Sequence, residues 1–212
     1  MLGNMNITDL GFYLITLVVV ITIHEFCHAW MGHVLGDVTA SREGRLTLNP
    51  LAHIDPFLTL ILPLGLVLLG SPVVFGAAKP VPFNPYAVRY GKWGAALVAL
   101  AGPASNFVMA AFVALFVRFL PLNFAAERFL VIFVTVNIGF FVFNMIPFPP
   151  LDGSRLLYAI APPPLADLMD RIERFGVLAV FIFIFVFFRF LSPHIGFVVG
   201  GISSWLLGVK VF

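Results

Sequence analysis

Leu10–Met31 reads LGFYLITLVVVITIHEFCHAWM, twenty-two residues that are apolar for two-thirds of their length and then close on His24, Glu25, Phe26, Cys27 and His28. About 20 apolar residues cross the roughly 30 Å of hydrocarbon in a bilayer, so the stretch is a membrane helix. Three ionisable side chains within five positions of such a span are costly to bury, and they mark a functional site. At about 100° per residue, His28 stands about 40° round the helix from His24, and Glu25 about 100°. All three therefore share one face, and the two imidazoles can hold one zinc ion, which fixes the expected cofactor as a single Zn2+. Glu25 is then beside the metal but off its axis, placed as general base to take a proton from the attacking water and return it to a leaving amine. His33 is turned away from this face. Cys27 reads as a small buried thiol.

Outward from this helix the chain keeps the same character. It has 212 residues, 61% hydrophobic and 10% charged, and a mean hydropathy of +1.06. A soluble domain cannot hide so much apolar surface, so the fold class is α-helical integral membrane protein, with the lipid bilayer as its solvent. Twelve basic residues against ten acidic ones are scattered, which argues against nucleic acid as a partner. One cysteine excludes a disulfide framework. The first stretch lacks the basic flank and cleavage site of a signal peptide and reads as a retained span.

Further apolar stretches run over Trp93–Val117 and Phe129–Pro147, then as a hairpin over Phe175–Phe190 and Ile195–Phe212 with Ser192, Pro193 and His194 as its turn. The segment 57–70 holds Pro63 and Gly65 and is too short to cross, so it reads as re-entrant. The Pro-rich residues 72–84 are expected to hold short edge strands, with Val73–Phe75 and Val81–Phe83 nominated. About five spans result. They place Arg42, Arg45, Lys79, Arg89, Lys92, Arg155, Arg171, Arg174 and Lys210 on one face and Arg118, Arg128 and Arg189 on the other. That asymmetry sets the His24 end of the helix toward the cytoplasm. The whole of 1–212 is expected to be one membrane-embedded domain, with a catalytic core over about 8–160 and the hairpin over about 174–212.

A catalytic zinc takes three protein ligands and keeps one position open. Asp152 is the best third ligand, because Pro147, Pro149 and Pro150 break the preceding helix and free backbone at membrane depth, where broken helices line cavities. His24, His28 and Asp152 all fall toward the C-terminal ends of their helices. They meet only if the two helices run parallel, as the five-span arrangement requires.

These residues resemble the site-2 protease family of intramembrane metalloproteases, in particular its short prokaryotic branch without a PDZ domain. The resemblance rests on His24 to His28, on 44–56 (GRLTLNPLAHIDP), on 78–82 (AKPVP), on 101–106 (AGPASN) and on 144–153 (NMIPFPPLDG). It implies a zinc metalloendopeptidase in a prokaryotic inner membrane that hydrolyses peptide bonds within or beside a transmembrane helix of another membrane protein. Metal ligands fall on His24, His28 and Asp152, and the base on Glu25. It further implies that Asn144 polarises the scissile carbonyl; the other reading of Asn144 is a cap on the broken helix. His53 and Asp55 read either as approaching the site or as a turn held by side-chain hydrogen bonds. Asn106 reads as an interhelical hydrogen bond at a close packing, or as lying under the site. Substrate selection is expected from the membrane region itself, from an adaptor, or from a second copy of the chain. The alternative from another class is a zinc transporter or metal-binding protein, against which Glu25 stands, since transport needs no base.

Overall fold

A computed structural model describes residues 7–68, 76 and 78–209. Among the described residues, four helices are long and apolar enough to cross a membrane. They are α1 (Ile7–Leu35), α4 (Gly91–Phe119), α5 (Phe124–Asn144) and α8 (Val177–Leu207). Between them lie the short α2 (Thr39–Arg42), α3 (Leu62–Leu68), α6 (Gly153–Ile160) and α7 (Pro163–Glu173).

Small side chains set how closely the long helices pack. Ala110 and Ala114 of α4 lie with Val134 and Ile138 of α5 and Val199 and Leu207 of α8 in one buried cluster. In lipid such packing is driven by close van der Waals contact, which small residues permit. On the other side of α4, Ala95 and Val98 pack with Leu35 and Val88, and α1 buries Leu17, Val20 and Ile21 almost completely. α4 is thus the centre of the bundle.

The segment expected to be re-entrant is a π-helical turn at Pro56–Ile61 followed by α3. Its apolar helix, Pro56–Gly65, is shorter than a span needs. Asp55 caps it, accepting from the backbone N–H groups of Phe57 and Leu58. Among the described residues there is no strand. Val81–Phe83 is not part of a strand, and Val73–Phe75 lies outside the described residues.

The expected C-terminal hairpin is corrected. Residues 177–207 form one helix of 31 residues that runs through Pro193, so the described residues hold four long helices where about five spans were expected. Ser192, Pro193 and His194 spell a turn in water, but in a membrane a side chain can serve the backbone groups that a proline frees. Here the helix persists through Pro193, and the His194 ring bonds through Nδ1 to the carbonyl of Phe190, one residue past the Arg189 carbonyl that the proline leaves without its helical N–H, at 2.9 Å. A Cβ added to Gly208 would lie 3.2 Å from Arg118 Nε, so α8 and α4 end on the same face. Lys210, expected on the opposite face, lies outside the described residues.

Candidate metal centre

The site is assembled by α1, α4 and the broken end of α5. Helix α1 presents His24 and His28 one turn apart, with Nε2 atoms 2.9 Å from each other. Beyond Asn144 the chain leaves the helix and re-enters one at α6, whose N-cap is Asp152. Asp152 Oδ2 lies 3.2 Å from His24 Nε2 and 3.3 Å from His28 Nε2. Gly153 makes this possible: a Cβ there would come within 2.4 Å of the Met145 carbonyl oxygen, so only glycine lets the chain fold back on the end of α5.

Both rings are held from behind. His28 Nδ1 donates to the Val98 carbonyl of α4 at 2.8 Å. His24 Nδ1 pairs with Asn106 Oδ1 at 2.6 Å. An oxygen of this kind only accepts, so both protons sit on Nδ1 and both Nε2 atoms carry lone pairs. Asp152 Oδ2 is among the buried polar atoms with no hydrogen bond. Three electron-rich atoms therefore face one another with nothing to separate their charge, an arrangement that a shared cation relieves. Their separations of 2.9, 3.2 and 3.3 Å are close to the roughly 3.3 Å expected between ligands of a tetrahedral zinc with bonds of about 2.0 to 2.1 Å. The donor set of two imidazoles and one carboxylate is a zinc set, and the residues fit the metal.

Gly102 forms the floor. A Cβ at this position would lie 2.3 Å from His28 Nε2 and 2.7 Å from His24 Nε2, so the two rings rest directly on the α4 backbone. Its pairing with Pro103 and its small neighbours on α4 signal a close approach, yet they do not say what approaches.

Glu25 accepts the Val81 backbone N–H at 3.1 Å, which ties the carboxylate to the irregular 78–83 segment. Glu25, Asn144 and the three donors line one cavity of about 1400 Å3. Asn144 Nδ2 donates to the Phe140 carbonyl at 3.1 Å; its amide lines the cavity while serving its own helix. His53 and Asp55 are not brought to the cluster. His53 is fully buried and bonds to the Thr47 carbonyl at 2.8 Å, and Asp55 caps its helix, so both hold the loop. Cys27 is a free thiol, half-buried, and His33 is exposed.

The fold and the site define a membrane-embedded metallohydrolase. The chain is 36% identical over 185 residues to YwhC of Bacillus subtilis, named for an inferred zinc metalloprotease activity, covering 82% of this chain and 80% of that one. Two further relatives, both called Rip2 and named for the same inferred activity, come from mycobacteria. That of Mycobacterium tuberculosis is 30% identical over 192 residues, covering 89% of this chain and 70% of its own. That of Mycolicibacterium smegmatis is 28% identical over 193 residues, covering 87% and 72%. No family-level sequence profile and no solved structure matches the chain. The chain belongs to the site-2 protease family of zinc metalloproteases.

Proposed function

We propose that this protein hydrolyses peptide bonds within or beside a transmembrane helix of other membrane proteins, with zinc held by His24, His28 and Asp152, Glu25 as base and Asn144 on the scissile carbonyl. The observation that carries the reading is the convergence of three lone-pair donors within 3.3 Å of one another, each presented by a different turn of backbone. Bound zinc supplies Lewis-acid polarisation and makes water a nucleophile near neutral pH. Glu25 takes the proton of the attacking water and passes it to the leaving nitrogen, so that the amine departs neutral. The Val81 N–H fixes that carboxylate at one oxygen and leaves the other for the water. Asn144, once its amide lets go of Phe140, donates to the carbonyl oxygen as negative charge builds there.

The cavity suits a helical substrate. It extends from Asp9 and Arg128 at the start of α1 and α5, past the donor cluster, to Arg155 and Glu173. On α5 it follows Thr135 and Gly139, and nothing stands within 4 Å of a Cβ placed on Gly139. A groove that follows a membrane helix along its length accommodates a second helix in the bilayer. Arg42, Arg45, Lys79, Arg89, Lys92, Arg155, Arg171 and Arg174 fall on the face nearer the cluster, against Arg118 and Arg128 on the other. That bias supports a cytoplasm-facing site in a prokaryotic inner membrane.

The test is the Glu25→Gln protein, purified alongside wild type and offered a membrane-spanning substrate. Retained zinc with cleavage slowed about 10²- to 10⁴-fold is the expected outcome. Undiminished cleavage defeats the assignment. Zinc uptake into vesicles that persists in the variant would support the transport alternative.

A further inference from the structure

A directed chain of hydrogen bonds runs behind His24 through the middle of the bundle. His24 Nδ1 donates to Asn106 Oδ1 at 2.6 Å. Asn106 Nδ2 donates to Asn137 Oδ1 at 3.3 Å, and Asn137 Nδ2 donates to the Phe133 carbonyl at 2.9 Å. The three side chains belong to α1, α4 and α5. Both asparagines have no exposed surface at all. The direction is set at the far end. A carbonyl only accepts, so Asn137 turns its NH2 to Phe133 and its oxygen to Asn106; Asn106 then has its oxygen left for His24. That sequence of constraints puts the imidazole proton on Nδ1 and the lone pair on Nε2, the atom facing Asp152.

We infer that Asn106 and Asn137 are positioning residues of the metal centre, which fix the tautomer and ring orientation of His24 from a backbone carbonyl two helices away. The inference rests on the zinc reading proposed above. His28 is oriented by one carbonyl directly, whereas His24 is reached through two amides. The longer route ties the ring to α5, the helix that carries Asn144 and leads to Asp152. One ligand, the groove wall and the carboxylate ligand are thereby kept in register. The competing explanation for paired asparagines in a membrane bundle is adhesion between helices. Adhesion predicts lost stability without a specific change in metal binding.

The experiment uses the full chain in detergent, with zinc affinity read by competition with a chromogenic chelator and thermal unfolding of the zinc-free proteins read in parallel. Partners that orient a metal-binding histidine are typically worth about 10- to 100-fold in affinity. Asn106→Ala is expected to weaken zinc binding by that factor. Asn106→Asp restores an oxygen acceptor for Nδ1–H while losing the donor to Asn137, and is expected to return affinity to within about threefold of wild type. Asn137→Ala, one step further away, is expected to weaken binding by about three- to tenfold. Zinc affinity of Asn106→Ala equal to wild type, or of Asn106→Asp as poor as Asn106→Ala, overturns the inference. If Asn106→Ala does not fold, Asn137→Ala decides: weakened zinc supports the relay and unchanged zinc overturns it. Failure of the wild-type protein to bind zinc would instead refute the reading on which the inference rests.

Discussion

Replacing Gly102 with alanine would place a methyl carbon 2.3 Å from His28 Nε2, 2.6 Å from its Cε1 and 2.7 Å from His24 Nε2. Ordinary contact begins at about 3.4 Å, so the His28 ring must retreat by about 1.1 Å and the His24 ring by about 0.7 Å. Zinc sites tolerate bond errors of only about 0.2 Å, so these displacements dislodge at least one donor. Zinc sites in small domains are worth roughly 10 to 16 kcal/mol over four ligands, so one lost ligand corresponds to about 3 kcal/mol, or on the order of a hundredfold in affinity. The bundle itself should survive. Alanine is favoured over glycine in a helix by about 1 kcal/mol, and the clash falls on side-chain ends that can swing, at a cost of about 1 to 3 kcal/mol. The variant is therefore expected to unfold near the wild-type temperature when zinc-free and to bind zinc about a hundredfold more weakly, with cleavage lost in step. Chelator competition and thermal unfolding measure the two halves separately. Wild-type zinc affinity in Gly102→Ala would refute the packing argument.

Two further predictions concern the ends of the bundle. Arg128 pairs through two nitrogens with both carboxylate oxygens of Asp9, which is buried while the arginine is half exposed; Arg128→Ala is expected to lower thermal stability, because it leaves the buried Asp9 carboxylate without this cation, though by less than loss of a fully buried pair because water reaches the guanidinium. Unchanged thermal stability of that variant would show that the pair contributes nothing. Asp37 follows α1 and accepts from the N–H and hydroxyl of Thr39 and from the N–H of Asn84. Burial pushes its carboxyl upward, but these three donors outweigh it and hold it below the ordinary range. A depressed folded-state value means stability that is present above the unfolded value of about 3.9 and lost as pH falls through the folded one. Wild type should therefore lose stability more steeply than Asp37→Asn below about pH 5, and parallel acid limbs would contradict this.

Much of the site was legible in the sequence because its determinants are local. The spacing of His24, Glu25 and His28 fixes their shared face, and the prolines before Asp152 announce a broken helix whatever packs around it. In the structure the side chains of His24, His28 and Asp152 lie within 3.3 Å of one another. What stayed hidden depends on partners far along the chain. The Gly102 and Asn106 pattern says that something packs closely on α4, while only the assembled bundle shows that it is the pair of imidazoles. The contact of Val81 with Glu25 joins residues 56 apart with no pattern to announce it. The misread hairpin has a different cause. Ser192, Pro193 and His194 spell a turn by the chemistry of water, where a proline ends a helix, but in lipid a helix end is itself costly and the helix runs on through Pro193.

X-ray absorption at the zinc edge of the purified protein tests the central claim most directly. The account predicts one zinc per chain, with two imidazole nitrogens, the Asp152 carboxylate oxygen and a water oxygen at about 2.0 to 2.2 Å, and a lower zinc content with a changed first coordination shell in Asp152→Ala. Zinc coordinated without imidazole, or an unaltered spectrum in Asp152→Ala, would contradict it.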